Sequence, residues 1–390
     1  MDKLDNLAKK LLKKWLGIQT HGVTDASIFH PYMLGVKMPS HLYKEAHAGT
    51  FAAIRLKGDK IVNFALDSRL ERESEWTRKF STVNFVNNIF QENVASGHIS
   101  YPENSEASNY INKAKKAMKN SVQNQTLSLW NERVRKLTFQ GDFINLLIEE
   151  QTNVTWQSTS TRIPKGVLSF ALKASVNGLN TPDNLKRWGK SRLDKCKLCG
   201  NFGDLEHTLN WCSVALLQGR TKWRHDSVLS YMFDEFSKNK EDNTTIYADL
   251  PDHQINCGTI PADILTTPQR PDLVIINRSE KKIALLELSV SFENNLESAH
   301  LRKRLRYENL TSDLQEKGWE TENLPFEIGS RGLVTKRNKN TIFSTTKKYN
   351  IKVKKNQLVK DISKISLLCS FAIFQAHCQP DWQSPPFLHP

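Results

Sequence analysis

The chain has 390 residues, 38% hydrophobic and 25% charged, with a formal net charge of +14 and a pI near 9.4. That length suits two or three domains, and the balance of apolar and charged residues is that of a soluble protein. No run approaches the roughly 18 to 20 apolar residues of a membrane span, and the opening segment is too charged for a signal peptide. With no secretory signal a disulfide framework is not expected, so the six cysteines read as reduced thiols. The excess of Lys and Arg points to a polyanionic partner, with a generally basic surface as the plain alternative.

"MDKLDNLAKKLLKKWLGI" spaces Leu4, Leu7, Leu11 and Trp15 at helical intervals between lysines, which predicts an amphipathic helix. Turns follow at "HGVTD" and "HPYMLGVKMPS". "SEASNYINKAKKAMKNSVQNQ", "LSLWNERVRKL" and "GDFINLLIEEQ" carry apolar residues every three or four positions and predict further helices. "GVLSFALKASVNGL" continues the helical pattern to Gly178, and "TPDNLKRWGK" opens with a Thr cap and a Pro in the first turn. From Cys196 a compact Cys/His segment precedes the helix "GRTKWRHDSVLSYMFDEF". The polar stretch to Gln269 reads as a linker. Strand, turn, strand and a long helix run from Arg270 to Gly318, and "LPFEIGS" adds a strand. Between Thr335 and Lys360 there are nine Lys or Arg and no acid, which is either a phosphate-tracking surface or a solvated loop. "ISLLCSFAIF" near residue 370 reads as a core helix. There are no internal repeats.

"CKLCGNFGDLEHTLNWC" spaces Cys196, Cys199, His207 and Cys212 as C-x2-C-x7-H-x4-C. Three thiolates and one imidazole complete a tetrahedral zinc shell with no open position, so a structural zinc is expected. A helical "DLEHTLNWC" would place His207 and Cys212 about one turn apart. Asp194, Asp204 and Glu206 lie nearby but are poor substitutes for sulfur.

Alternation assigns Ala284, Leu286, Leu288 and Val290 to one strand face and Leu285, Glu287, Ser289 and Ser291 to the other. Glu287 is therefore expected to turn away from the core, toward Asp272, if "DLVII" and "IALLELSV" pair as a hairpin about "NRSEKK". Two adjacent carboxylates repel unless a cation separates them, and oxygen ligands suit Mg2+ or Mn2+, which polarise phosphodiesters and activate water. The alternative is an exposed hairpin with solvated acids. Such a nuclease also needs a cation near the water, commonly a lysine two residues after the acid. Ser289 stands there, and the next helix offers His300, Lys303 and Tyr307 on one face. Arg270 is positioned to contact phosphate, and Arg302 and Arg306 add charge on that helix.

The segment "CKLCGNFGDLEHTLNWC", then "KWRHDSVL", "RPDLVII", "LLELSV" and "AHLRKRLRYENL", in this order, resembles the carboxy-terminal part of non-LTR retrotransposon polyproteins with a restriction-like endonuclease. The resemblance runs through nearly the whole chain. It implies an α+β multidomain protein with a helical amino-terminal half, a small zinc module and a PD-(D/E)XK-like α/β endonuclease domain that nicks DNA. It implies a thumb-like region at 1–100, a helical basic linker at 101–190, the zinc module and its following helix at 191–240, a linker at 241–268 and the endonuclease at 269–380. It further implies Asp272 and Glu287 as metal acids, Lys303 as the relocated catalytic lysine with Tyr307 its aromatic partner, and Arg224 and His225 beside nucleic acid. DNA, and element RNA, are the implied partners, with neither a membrane nor a small-molecule ligand. Nuclear location follows from that substrate, and cytoplasmic location otherwise. No Tyr-x-Asp-Asp polymerase motif occurs, so polymerisation is not expected, and the chain reads as a truncated element, a fragment or a host-retained remnant. A catalytically silent nucleic-acid-binding remnant is the alternative to a working nuclease.

Overall fold

The computed structural model describes residues 2–18, 23–72, 82–100, 107–251, 253 and 259–388. Part of the "HGVTD" turn and part of the 241–268 stretch lie outside the described residues. Contacts gather into two units: Met1–Trp15, Ile28–Pro31 and Gly35–Leu137 in one, and Leu16–Ser27, Tyr32–Leu34 and Thr138–Pro390 in the other. Among the described residues the fold is mixed α/β, helical in the first unit, with one four-stranded sheet in the second.

The first unit carries α1 (Asp2–Leu16), α3 (Pro39–Lys57), α4 (Lys60–Arg72), α5 (Thr82–Ala95) and α6 (Ala107–Arg135); the short α2 (Ala26–Phe29) lies between α1 and α3 in sequence. The two helical runs from Ser105 to Leu137 merge into the single 29-residue α6, because no Gly or Pro interrupts them. Phe51, Leu56, Ile89, Phe90, Met118 and Val122 form the core between α3, α5 and α6. Each fully buried side chain of that kind contributes about 1.5–3 kcal/mol. The periodic stripe of α1 does not join this core, since Leu4, Leu7, Leu11 and Trp15 are each more than half exposed.

In the second unit, α7 (Asp142–Glu149), α8 (Lys165–Ala174) and α9 (Pro182–Arg187) fall where periodicity places them. Thr181 holds the N-cap position of α9, but its hydroxyl bonds the Asp183 carboxylate instead of a backbone amide. A 3-10 turn (Thr155–Arg162) stands between α7 and α8. Then come α10 (Ser213–Leu217) and the long α11 (Arg220–Asn239).

The sheet has the order β1 (Thr244–Ala248), β2 (Leu273–Asn277), β3 (Lys282–Ser291) and β4 (Glu320–Gly329). β1–β2 and β2–β3 are antiparallel, while β4 runs parallel to β3. β1 arises inside the stretch read as linker. Its "TTIYA" core is rich in β-branched and aromatic residues, and pairing with β2 outweighs the turn-forming residues around it. The parallel β4 requires a crossover, supplied by α12 (Leu296–Arg306) and α13 (Glu308–Glu316). Tyr307, Leu310 and Leu314 pack on Val274, Ile276, Ile283 and Leu285, covering one sheet face. The opposite face is also closed, as Leu273, Ile275, Ala284, Leu286 and Leu288 are all buried.

α14 (Lys336–Lys348) and α15 (Lys355–Gln375) complete the unit. The basic tract is thus helical for most of its length, not a loop, and Thr335 caps α14 by accepting the Asn338 amide hydrogen at 3.3 Å. α15 contains "ISLLCSFAIF" and buries Leu358, Ile362, Ile365, Leu367 and Ile373, as a core helix should. Among the described residues no helix is long and apolar enough to cross a membrane.

Candidate metal centres and the acid-pair cleft

Cys196, Cys199, His207 and Cys212 converge, their ligand atoms all within 4.8 Å of one another. The Cys196 and Cys212 sulfurs lie 3.9 Å apart, and Cys199 Sγ is 3.2 Å from His207 Nε2. Metal–sulfur bonds of about 2.3 Å in a tetrahedron separate their sulfurs by about 3.8 Å, so the donor set fits zinc. The first two ligands sit on a knuckle whose Cys196 carbonyl accepts the Gly200 amide at 2.9 Å. Gly200 has φ +77°, a conformation that side chains disfavour.

The second pair uses a different device from the ordinary helix expected. A π turn spans His207–Trp211, closed by the Cys212 amide donating to the His207 carbonyl at 2.9 Å. That wider turn stacks residues five apart, which H-x4-C spacing requires. Asp204 does not ligate; its carboxylate accepts the His207 amide at 2.7 Å and anchors the turn. Burial lowers the His207 pKa and so favours the neutral, ligating imidazole. Burial pushes the Cys212 thiol up to about 11, with the neighbouring Cys196 adding to it.

The acid pair forms from register. β2 and β3 pair Leu273 with Leu286, so one step further Asp272 stands opposite Glu287. The Asp272 amide donates to Glu287 Oε2 at 3.2 Å, and the Leu288 amide donates to Asp272 Oδ2 at 2.7 Å. The expectation that Glu287 escapes the core is corrected: it is 1% exposed. Alternation assigned its face correctly, but α12 covers that face.

Three cations neutralise the pair. Lys303 Nζ lies 2.5 Å and Arg306 Nη1 3.1 Å from Glu287 Oε1. His225 Nε2 approaches Asp272 Oδ2 at 3.2 Å, while its Nδ1 meets Asp226 Oδ1 at 2.9 Å. Burial works against a charged His225, but Asp272 and Asp226 overcome it and raise its pKa to about 9. Burial likewise opposes charge on Asp272, yet the imidazolium holds its carboxyl below the usual range. Glu287 goes the other way: burial, then the Asp272 charge, raises its pKa despite Lys303.

Asp272, Glu287, Lys303 and Arg306 line a cleft of about 610 Å³ together with Lys222, Asp249, Arg270 and Tyr307. Arg270 pairs with Asp249, and its carbonyl accepts the Tyr307 hydroxyl at 3.0 Å. Tyr307 is fully buried, its phenol pushed upward in pKa by burial and then by Glu287. It therefore braces the cleft wall.

Other expectations shift. Arg224 is fully buried, its guanidinium donating to Ser370 Oγ at 2.9 Å and to the Val290 carbonyl at 3.2 Å, so it joins elements inside the fold instead of meeting a polyanion. His225 faces the acid pair, not an open surface. Arg302 is exposed and outside the cleft lining. His300 shares a face with Lys303 but serves a different acid, Glu327 on β4, at 3.1 Å. Ser289, where a lysine would follow Glu287, is buried beside Glu327 in register, its hydroxyl without a hydrogen bond among the described residues. Sequence reasoning missed Glu327, Asp249 and Lys222; only the Lys222/Asp226 spacing on one helix face gave a signal.

No protein-family model matches the sequence, and no curated protein matches it.

Proposed function

We propose that the chain is a divalent-metal-dependent DNA endonuclease of the PD-(D/E)XK type, related to the nicking domain of non-LTR retrotransposons and stabilised by a structural zinc. The observation that carries the reading is Asp272 opposed to buried Glu287, with Lys303 from the crossover helix on Glu287 Oε1. Two carboxylates opposed in register offer all-oxygen donors that suit Mg2+ or Mn2+, which would take over from the side-chain cations now paired with them. Asp272 and Glu287 would hold that ion, which when bound polarises a scissile phosphodiester and lowers the pKa of water.

The chain's own residues do the rest. Lys303, 17% exposed on its side chain, has the reach to orient the attacking water and offset charge on the phosphate. Arg306, 58% exposed, and Arg270 supply guanidinium donors for the backbone at the cleft mouth. His225 holds Asp272 from the far side, steadied by Asp226. The zinc module gives α11, which carries His225, its fixed start. DNA, with element RNA as a further partner, is the proposed substrate class, and a nuclear location follows from it.

The deciding experiment is nicking of supercoiled plasmid with Mg2+ or Mn2+. Open circular product is expected from the wild type and not from Asp272→Ala or Glu287→Ala. No product, or equal product from the variants, overturns the enzymatic reading and leaves a nucleic-acid-binding remnant.

A further inference from the structure

A second cleft, of about 430 Å³, opens where the 3-10 turn at Thr155–Arg162 meets α14 and the first turn of α15. Gln151, Asn153, Ser158 and Asn356 offer it uncharged polar groups, and Lys339 and Lys360 offer it two ammonium groups. No carboxylate and no aromatic ring lines it.

Four other cations of the basic tract are already engaged. Arg337 pairs with Glu297, Lys348 with Glu320 and Glu322, and Lys352 with Glu241, while Lys355 donates to the Phe343 carbonyl. Lys339 and Lys360 have no carboxylate within ion-pair distance among the described residues. Both are half-buried, so each has shed part of its hydration without forming an ion pair, although the Glu150 charge acts on Lys339 from beyond ion-pair distance. Burial, then Lys336, lowers the Lys339 pKa accordingly. The 21-residue α15 starts at the same cleft with no acidic residue in its first turn and no side-chain cap, leaving amide hydrogens and the positive end of its dipole there.

We propose that this cleft is a second nucleic-acid contact, seating a backbone phosphodiester of DNA between Lys339 and Lys360. Two ammonium groups, neutral donors and a helix start are the chemistry of phosphate binding. The missing aromatic ring removes any platform for a base, so the contact reads backbone and not sequence. The identity of the polyanion rests on the nuclease reading; the cleft's preference for phosphate does not.

The test is fluorescence anisotropy of a fluorescein-labelled DNA duplex with the full chain in EDTA, over a series of NaCl concentrations. Lys339→Gln/Lys360→Gln is expected to weaken binding about tenfold near ~0.1 M salt and to reduce the salt slope by about two. Wild-type affinity and slope overturn the proposal. So does an equal loss in Lys347→Gln/Lys354→Gln, two exposed cations of the same tract outside the cleft, because the tract would then act as diffuse charge. Should the double variant fail to fold, Lys360→Gln alone must lose about threefold and one unit of slope, and unchanged binding by it overturns the proposal. Inorganic phosphate at matched ionic strength should leave DNA bound; displacement would mark a small-anion site instead. Plasmid nicking separates the two readings: a chain that binds through the cleft without nicking refutes the nuclease alone, and one that nicks while the cleft variant binds normally refutes the cleft alone.

Discussion

Lys303 Nζ lies 2.5 Å from Glu287 Oε1 although sixteen residues separate them, and α12 provides the link. A lysine at position 289 would instead meet buried Glu327 and His300, where the helix closes the face. Lys303→Met is expected to lower nicking by roughly 10²-fold or more while DNA binding in EDTA changes less than about twofold. Plasmid nicking alongside anisotropy measures both; full activity would transfer the role to Arg306.

Filling the Cys3His cluster should be a folding event as much as a binding one. Elemental analysis of purified protein is expected to find one zinc per chain. Cys199→Ser, which keeps size but weakens the ligand, should lower the melting temperature and make the protein sensitive to chelator. Protein without bound metal and with an unchanged melt under strong chelation would contradict this.

The His225 imidazole has a pKa of about 9 in the fold against 6.5 for the free group. A raised folded pKa means that its stabilisation is complete below about pH 6.5 and is lost as pH rises through about 9. In EDTA the wild type should therefore lose roughly 1–3 kcal/mol relative to His225→Gln across that interval, the lower end reflecting partial solvent access. Paired thermal or urea melts at the two ends read the difference, and parallel pH profiles would refute it.

Gly329 ends β4 with no room for a side chain: an added Cβ would sit 2.2 Å from Glu293 Oε1. Glu293 accepts both the Arg331 amide and the Arg331 Nε at 2.6 Å, an ion pair buried on both sides. Gly329→Ala must push that pair apart and is expected to cost about 3–5 kcal/mol, seen as a lowered urea midpoint. A neutral substitution would show that Glu293 has another place to go.

How far the sequence could be read depends on which physical quantity each residue carries. The Cys3His cluster was legible because ligand spacing is itself the geometric constraint, though the π turn behind H-x4-C was not. Opposition of Asp272 and Glu287 followed from hairpin register alone. Burial of Glu287 did not, because alternation says which face a side chain takes and is silent on what later packs there, here a helix beginning nine residues on. β1 was hidden for a related reason: a five-residue strand among Asn, Asp and Pro gains its order from β2, a partner distant in sequence. Arg224 misled because charge predicts exposure on average, whereas this guanidinium finds its acceptors inside the fold.

α11 begins eight residues after Cys212. Its first residue, Arg220, is buried and donates to the Ala376 and Gln379 carbonyls, Arg224 reaches β3, and His225 grips Asp272. One rigid rod therefore leads from the sulfur cluster to a carboxylate of the other centre. On the proposed reading, with a metal at each site, coupling through this helix would be reciprocal: whatever free energy the sulfur site lends to the carboxylates, they return to it in equal measure. On the proposed nuclease reading, a metal that takes no part in the chemistry would thereby set how readily the acid pair performs it.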